Sequence, residues 1–94
     1  MKANPRICLQ DQFPLVVLNN KDKSSLGACI VEKSMTLRQL EQLMTKDIEV
    51  PTGFVFLYHG AVIKPKQLDH FRVKHIMFKQ EGAECIAIAE PEHS

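Results

Sequence analysis

Met35-Thr36-Leu37-Arg38-Gln39-Leu40-Glu41-Gln42-Leu43-Met44 is the stretch that decides how this chain folds. Thr36-Leu37-Arg38-Gln39 has the form of a capping box. The threonine hydroxyl accepts from the amide three residues on, and the glutamine side chain reaches back to the cap residue's own N–H. Met35 and Leu40 flank the box at the spacing of a hydrophobic staple. Leu37, Leu40, Leu43 and Met44 follow at helical spacing, so the helix has one apolar stripe. Such a stripe needs a flat partner, and the neighbouring segments supply strands. The expectation is one helix packed on one sheet, an α+β architecture that serves binding more often than catalysis.

Ninety-four residues allow a single core. With 45% hydrophobic and 24% charged residues, the chain can build that core without cross-links. The net charge of +1 gives no general attraction to nucleic acid or to anionic membranes. No apolar run approaches the roughly 20 residues of a membrane span, and Met1-Lys2-Ala3-Asn4-Pro5 lacks a signal peptide's apolar segment. Cys8, Cys29 and Cys85 are odd in number and widely spaced, which fits a reducing compartment, cytoplasmic or nuclear, better than secretion.

Outward from the helix, Phe13 to Leu18 reads as a strand, Asn19 to Ser25 as a turn and Leu26 to Glu32 as a second strand. Pro51 sets the latest point at which the helix ends. Phe54-Val55-Phe56-Leu57-Tyr58 is the strongest strand signal in the chain, and Gly60 closes it. Ala61 to Ile63 returns as a short strand, and Cys85 to Ala89 forms the last one. Lys64 to Lys79 is poorly periodic and reads as turns with at most one helical turn. Residues 1–12 and 91–94 read as tails around a domain at 13–90.

The paired strands before the helix, its Thr36-Leu37 opening, and the strand end Phe56-Leu57-Tyr58-His59-Gly60 resemble a ubiquitin-like β-grasp domain. That resemblance implies a ββαββ roll with the helix on a mixed sheet. A ferredoxin-like or other small α+β roll is the rival. The resemblance also implies a non-catalytic protein–protein interaction module belonging to a larger protein, docking a protein partner through its exposed sheet face. Two departures stand out: a longer path from Gly60 to the last strand, and Pro91-Glu92-His93-Ser94 in place of a diglycine, which argues against a conjugated modifier. A Ras-associating type of domain, pairing an edge strand with a small GTPase, is the alternative. Its second strand should carry cations, yet Leu26 to Glu32 has none.

Strand parity assigns the faces. Phe54, Phe56 and Tyr58 are expected to pack on the helix with Leu15, Val17, Val31, Ile86 and Ile88. Val55, Leu57 and His59 then point outward beside Ala87 and Ala89, with Leu57 at the place of the ubiquitin-like binding patch. The competing expectation is that Ile7-Cys8-Leu9 covers Leu57. Lys64 and Lys66 belong to a segment with five cations against one carboxylate, Asp69, and are expected to steer an acidic partner. His59, His70, His75 and His93 show no metal-ligand spacing, no nucleophile motif is present, and the four glycines are scattered. The expectation is therefore no enzyme activity, no cofactor, no metal, no nucleic acid and no membrane. A monomer is expected, with weak self-association compatible with the charge pattern.

Overall fold

Two largely apolar runs joined by a polar turn make the first hairpin. In the computed structural model, which describes residues 12–91, β1 (Gln12–Asn19) pairs antiparallel with β2 (Ser25–Glu32). The turn between them is held by its own side chains. The Asn19 carboxamide accepts from the Lys21 amide at 2.9 Å, and the Asp22 carboxylate accepts from the Ser24 amide at 3.0 Å and hydroxyl at 2.7 Å. These bonds from Ser24 hold the Asp22 carboxyl below its usual range.

Helix α1 (Leu37–Asp47) begins as expected. Gln39 N–H donates to Thr36 Oγ1 at 3.2 Å, and Thr36 N–H donates to Gln39 Oε1 at 3.0 Å. Two more first-turn amides are satisfied from across the chain, Leu37 N–H by the Phe71 carbonyl and Arg38 N–H by that of Leu68. Leu37, Leu40 and Met44 are fully buried, while Met35 and Leu43 pack partly buried against the same core.

The remaining elements are β3 (Val55–Tyr58), β4 (Ala61–Val62), a 3₁₀ turn (Pro65–Gln67), the single-turn α2 (Val73–Ile76), β5 (Phe78–Gln80) and β6 (Ala83–Ala89). The sheet runs β2-β1-β6-β3-β4, with β5 also paired to β6. The sheet is mixed: β6 lies parallel to β1 and antiparallel to β3 and β5. The fold is thus α+β, with one main helix on a six-stranded mixed sheet, and it carries more than ββαββ. The additional strand β5 arises from the Glu81-Gly82 turn, where φ is 53° and 83°. Two positive φ values in a two-residue loop match the twist of a tight hairpin, so the chain folds back and pairs Phe78 with Cys85.

Leu15, Val17, Val31, Phe54, Phe56, Ile86 and Ile88 occupy the core as expected. Tyr58 does not: it is 41% exposed. β3 ends there, the His59-Gly60 turn (φ 52° and 88°) reverses the chain, and the ring packs beside His59 and Phe71 at centroid distances of 4.4 and 6.1 Å. The poorly periodic segment instead gives the core Leu68, Val73 and Ile76, and Ile63, just before it, joins them.

Candidate functional site

Ladder partners share a face, which allows the sheet surface away from α1 to be read off directly. Pro14 pairs with Ile30, Val16 with Ala28 and Cys85, Leu18 with Ala87, Val55 with Ala89 and Leu57 with Val62. These residues are apolar, while the same ladders place Gln12, Glu32, Ser25 and Gln80 at the ends of this face. The opposite parity (Leu15, Val17, Ile86, Ile88, Phe56) is the helix-facing core. This second apolar face crosses five strands, and its margins are open, with Ile30 57% and Val62 56% exposed.

Its centre is not open. Leu57, expected to stand exposed on this face, is only 5% accessible, and Leu18 and Cys85 are equally enclosed. The reason lies in the strand arrangement. β3 pairs with β6 at Ile88 and Ala89, whereas β5 pairs with it at Ala83 to Cys85. The two strands therefore meet the same side of β6 at different heights, and neither ladder includes Ile86 or Ala87. A recess of about 210 Å³ fills the gap, with Leu18, Leu57, Ala87, Ile76 and Phe78 as apolar lining. Asn20, Lys23, His59, Gly60 and Gln80 complete it. The β1–β2 turn, the His59-Gly60 turn and β5 close in around Leu57, which strand parity alone does not reveal.

The structure thus gathers Leu57, His59 and Ala87 at one recess. Val55 and Ala89 are half-buried on the same face beside it. Lys64 and Lys66 are exposed but do not line it. They belong to the 3₁₀ region that α1 meets where Arg38 donates to the Pro65 carbonyl at 3.4 Å. The cation that does line the recess is Lys23. In sequence it reads only as part of a polar turn, and its position depends on that turn's geometry and on β1 pairing with β6. The Ile7–Leu9 segment lies outside the described residues.

Among the described residues, the surroundings of the two cysteines disfavour the thiolate. Burial, the larger cause, pushes the Cys29 and Cys85 thiols up, and nearby Asp47 and Glu84 push in the same direction. The His75 ring nitrogen Nδ1 is taken by the Arg72 amide at 2.9 Å. Among the described residues no three His, Cys, Asp or Glu side chains group as metal ligands, and no helix is long and apolar enough to cross a membrane.

No protein-family model matches the chain, and a search of curated proteins finds no relative.

Proposed function

We propose that this chain is a ubiquitin-like β-grasp domain acting as a non-catalytic protein-interaction module that docks a protein partner on the sheet face opposite the helix. The observation that carries the reading is the largely apolar face from Pro14 and Ile30 to Val55 and Val62, whose margins at Ile30 and Val62 stand exposed around an enclosed centre. The central parallel pairing of β1 with β6 under a single helix supports the β-grasp assignment. Two free buried cysteines support work in the cytoplasm or nucleus.

The test is a pair of variants at the half-buried positions, Val55→Glu and Ala89→Glu, followed by capture and cross-link mapping of partners. Loss of the wild-type partner with retained folding supports docking on this face, because a charge placed in an apolar contact goes unpaired. Unchanged capture by both variants would remove the reading.

The GTPase-binding alternative has one observation in its favour, that among the described residues β2 is an outer strand of the sheet. The absence of cations along Leu26–Glu32 weighs against it. Titration with a GTP-loaded small GTPase checks it directly.

A further inference from the structure

We propose that the recess between β3 and β5 is a socket for one bulky apolar side chain of the protein partner, flanked by a carboxylate that Lys23 and His59 receive. This rests on the sheet-face reading and specifies the chemistry of its central contact.

Pockets for drug-sized ligands and cofactors run to about 300–1,000 Å³, and this recess, at about 210 Å³, is smaller. An apolar protein cavity of about 150 Å³ accepts benzene. One leucine, methionine or phenylalanine side chain is therefore the matching occupant. The lining agrees, since Leu18, Leu57 and Ala87 form one apolar row across β1, β6 and β3, with Ile76 and Phe78 beside it. Interfaces concentrate their binding energy in such anchors, where a side chain enters a largely water-free pocket.

Lys23 and His59 line the recess, and no carboxylate does. Lys23 Nζ donates to the Asn20 carboxamide oxygen at 3.0 Å, a neutral partner that places the ammonium without balancing it. The adjacent Asp22 carboxylate is taken by Ser24. Among the described residues the ion pairs are Arg38–Asp69 and Lys79–Glu84, and Lys23 belongs to neither. A partner that brings its own carboxylate beside the apolar anchor meets a cation already positioned for it.

The experiment is methyl and amide NMR of the full chain, titrated with N-acetyl-L-leucine, N-acetyl-L-leucinamide and acetate. N-acetyl-leucine is expected to shift the Leu18, Leu57 and Ala87 methyls saturably, in about the millimolar range suited to a fragment of this size. The neutral amide should bind at least about threefold more weakly, and acetate should move none of these methyls. Lys23→Gln should reduce the acid to the affinity of the amide. Ala87→Leu, which fills the recess, should abolish binding; Ala87→Val serves if the larger residue impairs folding. Absence of methyl shifts, equal binding of acid and amide, or undiminished binding to the filled variant would overturn the socket. Partner capture separates the two readings. Loss in Val55→Glu but not in Ala87→Leu leaves sheet-face docking standing and removes the socket, whereas capture unaffected by any of these variants removes both.

Discussion

Truncating Leu57 separates an open sheet face from the enclosed recess described above. The residue is 5% exposed and lies outside the helix-facing core cluster. Leu57→Ala withdraws about three methylene-sized groups, worth about 0.8 kcal/mol each, so the transfer loss alone is about 2.4 kcal/mol. The recess already adjoins the site, and the change widens an existing hollow instead of opening a new one. The cavity contribution should therefore be small and the total about 2–3 kcal/mol. Leu40→Ala makes a useful comparison. That side chain is fully buried between helix and sheet, its removal leaves a new void, and a loss of about 3–5 kcal/mol is expected. In a domain of this size each kcal/mol moves Tm by about 4–8 °C, so Leu57→Ala should melt roughly 8–24 °C below the parent. Leu57→Glu should be worse, because it puts a carboxylate at a position that is 5% exposed and replaces apolar packing with a charge that loses its hydration. Urea unfolding followed by circular dichroism gives the free energies. A loss below about 1 kcal/mol for Leu57→Ala, or a Leu57→Glu variant as stable as the parent, would show that the face is open and that the enclosure is wrong.

Thr36→Ala should destabilise by about 1 kcal/mol while Thr36→Ser stays close to neutral, since only the hydroxyl that accepts from Gln39 matters; equal losses in urea melts would refute the cap. Gly27→Ala should cost about 1–3 kcal/mol, because φ is +149° and a Cβ there would stand 2.7 Å from Ile48 Cγ2. A melt unchanged by that substitution would mean that Ile48 moves freely. Cys29 and Cys85 should resist alkylation near neutral pH in the folded protein and react on unfolding, as burial both blocks them and raises their pKa. Mass spectrometry of iodoacetamide-treated protein checks this, and rapid native labelling of either residue would contradict the packing.

Local rules made the helix and the first hairpin legible. Thr36 and Gln39 form their reciprocal bonds, and Leu37, Leu40 and Met44 bury the stripe that their spacing implies. Parity along β3 likewise separates Phe56 from Leu57. What parity does not carry is how far a strand extends under the helix, and so Tyr58 emerges at the end of β3 although it shares the parity of Phe56. β5 was hidden for a similar reason. Phe78-Lys79-Gln80 is short and mixed, and its pairing is set by two positive φ values at Glu81-Gly82, a turn signal weaker in sequence than Asn-Gly or Asp-Gly. Once β5 is in place the recess follows, and with it the place of Lys23, which no spacing rule connects to Leu57 or Ala87. Lys64 and Lys66 mark the opposite case, since a conspicuous charge run in sequence is carried by the 3₁₀ segment to another part of the surface.

The parallel ladder at the middle of the sheet has a consequence for how the chain is made. Val16 sits opposite Cys85, about 70 positions later, and β6 is the strand that also receives β3 and β5. A growing polypeptide can close the β1–β2 hairpin and wind α1 early. The strand that joins these pieces leaves the ribosome after all of them, and closing so large a loop is slow compared with local pairing. Until it arrives, one side of β1 and one side of β3 present unpaired edges flanked by apolar side chains, the condition under which nascent chains aggregate or recruit chaperones. The vulnerable interval in the life of this protein is thus its synthesis, and its length is set by translation of the segment from Gly60 to Ala89.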